Sequence, residues 1–346
     1  MPAPSAQLAR ALAEALATAA HDHRALTDEH AVALLAADGD DLEQLAATAD
    51  DVRRRRVGEA VTFVVNRNLD GERVGADPGH VRALVAEAVA LGASEVCVQG
   101  PVPERAGPDG SLALVTAVAE GAGEAGVHLH AFRVPEVLRA AGLRGSTPRA
   151  FLEDARDAGL GSVPGTAAKV LDDAVRTELN GGTPDLPVAT WLDVLGTAHE
   201  VGLTSTSTLV HGGPETPAQQ VAHLRLLAAL ATRTRGITEF IAMPSPLGPP
   251  SARATRALHA VARLLLDGAV DHVQAAWPKH PAGLVADLLR GGADDLGGLL
   301  LDGTLDPAAG QEAGTTLTRE DAQALADRVG RPLRQRTTRY GEPASA

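Results

Sequence analysis

The chain has 346 residues, and its 44 acidic and 31 basic side chains give it a formal charge of −13. It holds a single cysteine, Cys97, which excludes an intrachain disulfide, a four-cysteine zinc site and a cysteine-ligated iron–sulfur cluster. The acidic balance and an aromatic content of 2% argue against a nucleic-acid surface, which needs clustered Lys and Arg and stacking rings.

The first apolar segment, between residues 8 and 20, contains Arg10 and Glu14, and no basic stretch precedes it. This pattern predicts a helix rather than a signal peptide. No run of the sequence reaches the ~18 uncharged apolar residues that a membrane-spanning helix needs. We therefore expect a cytoplasmic protein that does not contact a membrane.

Residues 1–57 are predicted to form a helical extension, in which Thr27 caps a helix and His30 takes its third position. After Gly58, short apolar strands alternate with long helical segments. Strands are predicted at residues 61–66, 95–99, 127–132, 160–163, 204–210, 237–242, 270–275 and 297–301. Helices are predicted at residues 81–91, 112–125, 147–158, 188–201, 217–234, 252–267 and 283–290. Eight strands with interleaved helices predict an α/β fold, a (β/α)8 TIM-type barrel over residues 58–346.

Polar side chains and glycines follow these strands at the points where they are predicted to end. In a barrel of this type the functional residues lie at the C-terminal ends of the strands. We therefore predict a ligand pocket lined by Asn66, Arg67, Asn68, Gln99, His130, His211 and Gln274.

The strand that contains His128 and His130 places both imidazoles on one face, because side chains alternate along a strand. These two histidines are candidate metal ligands, with His211, Glu239 or Asp295 completing the set. The alternative is a pair of hydrogen-bonded histidines, one deep in the barrel and one at its mouth. We assign no metal from the sequence.

Cys97 lies in the middle of the predicted second strand, between two valines. No neighbouring residue suggests an activated thiol, so we interpret Cys97 as a small core residue rather than a nucleophile.

Several segments together resemble one family, the CofH-type half of FO synthase, which makes the deazaflavin chromophore of coenzyme F(420). They are VTFVVNRN at 61–68, EVCVQG at 95–100, HLHAF at 128–132, PGTAA at 164–168, TEF at 238–240, DLGG at 295–298 and QRTT at 335–338. The resemblance runs in order from about residue 26 to residue 341.

The resemblance implies radical-SAM chemistry. Members of the family hold a [4Fe–4S] cluster on a C-x3-C-x2-C motif after the first strand. The cluster cleaves S-adenosylmethionine, and the resulting radical joins tyrosine to 5-amino-6-(ribitylamino)uracil. In this chain the segment 69–79 contains no thiol or imidazole, only the oxygen donors Asp70, Glu72 and Asp77. Such donors suit iron–sulfur clusters poorly, so we predict no cofactor.

Other strand ends also depart from the family pattern. Gly100-Pro101 replaces a Gly-Gly pair, Lys169 replaces a glutamate, and His211-Gly212-Gly213 replaces Tyr-Gly-His. Residues 179–187 lack a Cys-Pro pair and a lysine. Departures at several separate positions indicate a redirected pocket rather than a gene model with one missing piece.

Three functions follow as hypotheses, and whether the chain is an enzyme stays open among them. The first is a cluster-less pseudoenzyme that binds a ribityl-uracil, tyrosine or deazaflavin-like ligand, with or without a protein partner from deazaflavin biosynthesis. The second is an enzyme with polar or metal-assisted chemistry in the same mouth. The third is a genuine FO synthase component.

Overall fold

The computed structural model describes residues 6–310 and 314–343 and contains a closed barrel of eight parallel strands. The strands are β1 (Val61–Asp70), β2 (Glu95–Gln99), β3 (His128–Ala131), β4 (Leu160–Val163), β5 (Thr204–His211), β6 (Ile237–Pro244), β7 (His272–Gln274) and β8 (Asp295–Leu300). Each strand pairs with the next in chain order, and β1 closes the barrel by pairing with both β2 and β8. The predicted (β/α)8 barrel is confirmed.

Helices surround this barrel and connect its strands. Those between the strands are α4 (Gly71–Val74), α5 (Pro78–Ala90), α6 (Gly110–Ala122), α7 (Val134–Leu143), α8 (Pro148–Ala158), α9 (Asp173–Leu179), α10 (Val188–Glu200), α11 (Pro217–Thr234), α12 (Ala252–Leu266) and α13 (Ala282–Arg290). After the eighth strand come α14 (Arg319–Arg328) and a short ninth strand, β9 (Leu333–Gln335).

The first part of the chain forms three helices, α1 (Ala6–Asp22), α2 (Asp28–Leu34) and α3 (Gly39–Val57). They pack on the outer barrel helices α11, α12 and α13. The predicted cap of α2 is confirmed, because the Thr27 hydroxyl accepts from the His30 N–H and the His30 ring accepts from the Thr27 N–H. Every helix within the described residues is too short or too polar to span a lipid bilayer.

The alternation of side chains along the strands separates two regions of the molecule. On β2, Val96 and Val98 are buried in the hydrophobic core, while Glu95, Cys97 and Gln99 line the barrel interior. The apolar core therefore lies largely between the strands and the helices. The interior keeps polar groups at successive depths.

The ends of β3, β5, β6, β7 and β8 lie within one or two residues of prediction, and two larger differences concern β1 and a ninth strand. β1 continues to Asp70 instead of ending at Asn66, so Asn66, Arg67 and Asn68 lie within the strand rather than beyond it. The ninth strand was not predicted, because three residues carry no readable alternation. It pairs in parallel with the start of β1, with Leu333 opposite Val61. This pairing brings the chain after residue 335 to the N-terminal end of the barrel.

Candidate functional site

A cavity of about 320 Å³ lies inside the barrel. Five of the residues predicted to form a pocket line it: Asn66, Asn68, Gln99, His130 and Gln274. The first two come from β1 and the others from β2, β3 and β7. The sequence placed the two asparagines at a strand end, whereas the structure places them within β1. A role of these five residues in ligand binding stays a prediction.

Arg67 points away from the cavity, since its neighbours Asn66 and Asn68 occupy the inward face of β1. Its guanidinium is buried and donates to Glu87 Oε2 at 2.6 Å and to the Asp306 carbonyl at 3.1 Å. Arg67 thus ties β1 to α5 and to the segment after β8. The sequence pattern alone did not show this, because it set Arg67 in a loop.

His211 is also absent from the described residues that line the cavity. It lies buried at the end of β5, near His259 and His280. Burial lowers the pKa of His211 to about 3, so the imidazole is neutral. Its position is that of a packed residue behind the cavity wall.

His128 and His130 contact the same hydroxyl group. His128 Nε2 lies 2.7 Å and His130 Nδ1 2.6 Å from Ser162 Oγ. Burial lowers the pKa of both imidazoles to about 4. Among residues 6–310 and 314–343, no group of three or more His, Cys, Asp or Glu side chains is arranged to hold a metal ion. The contacts are those of the hydrogen-bonded alternative.

The sequence suggested that Cys97 is a core residue, but the structure places it in the cavity wall. It lies beside His130 in the register of β2 and β3 and beside Asn68 in that of β1. The sequence contained evidence that this face of β2 is not part of the hydrophobic core. Glu95 and Gln99 share its face of β2, and two polar residues on one face indicate that the face is not packed in a core.

The floor of the cavity is a network of buried charges. Arg336 donates to Asp295 with Nε–Oδ2 at 2.5 Å and Nη2–Oδ1 at 2.8 Å, and it reaches Glu239 Oε2 at 3.3 Å. The Tyr340 hydroxyl donates to Glu239, and the Thr338 hydroxyl donates to Glu95 Oε2 at 2.5 Å. Residues 336–340, which follow β9, therefore close the barrel from below.

Burial of these groups in the floor shifts their pKa values. Burial raises the pKa of Glu239 to about 7, and Arg336 only partly opposes the shift. Burial disfavours the charged form of Arg336, yet Asp295, Tyr340 and Glu239 together outweigh it and hold the pKa of the guanidinium well above its usual range. Burial also raises the pKa of Tyr340. The floor therefore holds a permanent cation and a carboxyl group that can carry a proton near neutral pH.

The segments after the strands contain strained backbone, and the cavity wall contains a close approach between two strands. Phe132, Lys169 and Ala276 follow β3, β4 and β7 with φ values of 64°, 48° and 45°. Non-glycine residues in this region cost about 1–3 kcal/mol each and concentrate at functional sites. On β8, a Cβ atom at Gly298 would lie 1.9 Å from Asn66 Oδ1. Glycine at position 298 therefore leaves the space that the Asn66 side chain occupies in the cavity wall.

The loop after β1 does not fit the iron–sulfur cluster that the family resemblance implies. The carboxylate of Asp70 caps α4 by accepting from the N–H groups of Glu72 at 3.0 Å and Arg73 at 3.4 Å. The Asp70 N–H donates to the Ala309 carbonyl at 2.6 Å. No cysteine lies in this segment, and Cys97 is on another strand. The segment is packed with its own hydrogen bonds and offers no soft ligand.

The fold and the cavity define a (β/α)8-barrel protein with its site inside the barrel. Among solved structures, the chain resembles the FeFe-hydrogenase maturase HydG from Carboxydothermus hydrogenoformans, with a TM-score of 0.69 and 12% identity over 96% of this chain and 81% of that one. It also resembles methylornithine synthase (PylB), with a TM-score of 0.63 and 15% identity over 96% and 97%. At these identities the similarity establishes the fold. No family model matches the chain.

Sequence relatives give the family. The 5-amino-6-(D-ribitylamino)uracil–L-tyrosine 4-hydroxyphenyl transferase of Archaeoglobus fulgidus is 33% identical over 84% of this chain and 91% of its own length. The FO synthases of Mycobacterium tuberculosis and Streptomyces coelicolor are each 40% identical, over 91% and 94% of this chain. The chain spans only 40% and 41% of their lengths. The chain belongs to the FO synthase family, as its sequence motifs suggested.

Proposed function

We propose that this member of the FO synthase family binds a small molecule of deazaflavin biosynthesis without assembling an iron–sulfur cluster, and acts as a ligand-binding or accessory protein. The observation that carries the proposal is the contrast between two neighbouring parts of the barrel. The cavity is open and lined by polar groups. The loop after β1 has no thiol, and its Asp70 is engaged in capping α4.

The names of the relatives indicate the class of ligand. One of them is a transferase that acts on 5-amino-6-(D-ribitylamino)uracil and L-tyrosine. Uracil and ribityl groups present N–H and O–H donors together with carbonyl acceptors. The cavity offers matching groups, with the amides of Asn66, Asn68 and Gln99 along its wall and Arg133 and Lys279 also facing it. A ligand of this class would be held by hydrogen bonds rather than by a metal.

The cavity also explains how a ligand would be oriented. Carboxylates and Arg336 form the closed floor, whereas Gln99, Arg133 and Lys279 lie on or just beyond the C-terminal ends of their strands. Buried polar groups favour ligands that satisfy their hydrogen bonds and penalise those that do not. We therefore expect one orientation of the ligand along the barrel axis.

Anaerobic reconstitution with iron and sulfide tests the first part of the proposal. We expect no stoichiometric iron or sulfide on the chain, with an enzyme that carries the C-x3-C-x2-C motif as the positive control. A complete cluster, or formation of the tyrosine–uracil adduct with S-adenosylmethionine and reductant, would instead establish a genuine FO synthase component. Stoichiometric zinc, manganese or iron that is lost in His130→Ala would establish metal-assisted chemistry.

Calorimetric titration with 5-amino-6-(D-ribitylamino)uracil, L-tyrosine and a deazaflavin tests the second part. We expect saturable binding of at least one of them at one site per chain. The absence of binding by all three would reject the ligand class.

A further inference from the structure

The floor of the cavity is rich in hydrogen-bond acceptors. Asn66 is 6% exposed, and its Oδ1 has no hydrogen-bond partner among the described residues. Its amide nitrogen donates to Asn68 Oδ1 at 3.1 Å, which fixes the orphaned oxygen as the remaining acceptor. Glu95 lies directly beside Asn66 in the register of β1 and β2. A buried acceptor without a partner is unfavourable, and a ligand donor would satisfy it once the amide turns toward the cavity that Asn66 lines.

The same floor carries more carboxylates than cations. Glu95, Glu239 and Arg336 line the cavity there. Asp295 is fully buried and contacts Arg336 without lining the cavity. Arg336 contacts Asp295 at 2.5 and 2.8 Å but Glu239 only at 3.3 Å. Asp295 thus accepts the two shorter hydrogen bonds from Arg336, whereas Glu239 and Glu95 each accept a hydrogen bond from a hydroxyl group. Buried charges without partners are strongly unfavourable.

Among residues 6–310 and 314–343, the other groups that contact or adjoin Glu239 do not supply a second cation. Tyr340 donates its hydroxyl, and the Tyr340 ring stacks on His272 with centroids 3.4 Å apart. His272 lies beside Glu239 in the register of β6 and β7, but its Nδ1 is 2.6 Å from Asp294. Two carboxyl groups that share one guanidinium do not both ionise readily. A proton on Glu239 is the simplest neutralisation, and the raised pKa of its carboxyl agrees.

We propose that this acceptor-rich floor, formed by Asn66, Glu95 and Glu239, selects a ligand whose inner end carries several N–H or O–H donors, and that Glu239 releases its proton when the ligand binds. The ligand class is an amine or a polyhydroxyl chain, as opposed to a phosphate ester or a carboxylate. The inference rests on the proposed function, because it specifies how the same cavity recognises its ligand. No covalent bond to carbon changes, and the proton passes from the Glu239 carboxyl to the buffer.

The direction of proton movement follows from hydrogen bonding. Donors from a ligand stabilise the ionised carboxylate and so lower its pKa. A carboxyl group whose pKa is raised toward neutrality carries a proton in part of the molecules at pH 7, and we therefore expect release of a fraction of a proton per ligand bound. A ligand that presents an anion to the floor would instead need to bring a proton with it.

Calorimetry in two buffers of different ionisation enthalpy measures this number directly. With 5-amino-6-(D-ribitylamino)uracil at pH 7, we expect proton release by the wild-type chain and none by Glu239→Gln. We expect Glu95→Gln to weaken binding at least tenfold, and a phosphate ester of the same compound to bind at least tenfold more weakly than the compound itself. Glu120→Gln, an exposed change on α6, is the matched control and should behave as the wild type.

Saturable binding with a heat that does not depend on the buffer would overturn the proton release and leave the proposed function standing. Equal affinity for the phosphate ester would overturn the selection by donors. If none of the probes binds, the proposed function fails. The inference is then tested without ligand, by the infrared band of a protonated carboxyl at pH 6. That band should disappear in Glu239→Gln and persist in Glu120→Gln, and its absence from the wild type would overturn the assignment.

Discussion

Replacing Arg336 with methionine removes a guanidinium from the cavity floor while keeping a long unbranched side chain. Asp295 would keep the donors Thr62 Oγ1 at 2.6 Å and the Gly297 N–H at 2.7 Å, but it would lose both contacts with the cation. Arg336 is 2% and Asp295 0% exposed, so water cannot replace the lost partner. The variant therefore leaves a buried carboxylate uncompensated.

The expected loss is large and depends on pH. Removing one partner of a buried ion pair costs about 3–5 kcal/mol, a substantial part of the 5–15 kcal/mol by which a typical domain is stable. Burial raises the pKa of Glu239 and Arg336 opposes this, so in Arg336→Met the Glu239 carboxyl group binds its proton more tightly when folded than when unfolded. The folded state then gains stability as the pH falls. At about 1.4 kcal/mol per pKa unit, we expect a penalty about 1–3 kcal/mol smaller at pH 6 than at pH 8.

Urea denaturation at pH 6 and pH 8, followed by far-ultraviolet circular dichroism, measures both quantities. Arg334→Met is the matched control, because Arg334 is exposed on the same short strand that leads into the floor. We expect the control to change the free energy of unfolding by less than about 0.5 kcal/mol. A loss below about 1 kcal/mol in Arg336→Met, or an equal loss at the two pH values, would refute the role of this network.

Three further predictions concern the wall, the segment after β8 and the core. Gly298→Ala places a methyl group against the Asn66 amide of β1 and should weaken ligand binding at least tenfold with little change in melting temperature. The control Gly283→Ala, which has open space around the new methyl group, should change neither affinity nor melting temperature, and equal affinities of the two variants would contradict the prediction. Glu87 accepts four hydrogen bonds from β1 and from residues 304–305. Glu87→Ala should therefore speed limited proteolysis within residues 302–310 and lower the free energy of unfolding by about 1–3 kcal/mol, and an unchanged cleavage rate would contradict this prediction. Burial lowers the pKa of His223 to about 3, so the neutral ring favours folding above pH 6.5, and this contribution is lost as the pH falls, by up to about 1.4 kcal/mol per pH unit. The free energy of unfolding should therefore depend less steeply on pH between pH 7 and pH 5 in His223→Gln, and an equal dependence would argue against a neutral buried ring.

Local patterns in the sequence were sufficient for the barrel and for much of the cavity wall. Helix α11 begins and ends where the helical pattern of the sequence predicts, at Pro217 and Thr234. Asn66 and Asn68 were correctly chosen as cavity residues, although their polarity suggested the end of the strand. Polar residues inside a barrel alternate with buried outward ones, and this can be mistaken for a loop when only three positions are considered.

The floor was beyond the reach of local patterns. Arg336 contacts Asp295 and Glu239 across 41 and 97 residues of sequence, and the strand that carries it there has three residues. The family resemblance contained the QRTT segment but gave it no place in the fold. Asp295 and Glu239 were considered only as metal ligands, whereas the structure pairs both with a guanidinium. Long-range ion pairs of this kind leave no periodic signal in a sequence.

The departures from the family pattern are accommodated by contacts within this chain. Lys169, where the family resemblance implies a glutamate, forms an ion pair with Asp185 at 2.8 Å, and Asp185 lies in the segment 179–187, where the resemblance implies another departure. Arg176 joins the same two segments by donating to the Ala168 carbonyl at 2.5 Å and to the Leu186 carbonyl at 2.8 Å. The lysine therefore has its partner charge within the second of these segments. Together with the capped loop after β1, this contact agrees with our proposal of a cavity that serves a ligand without the cluster.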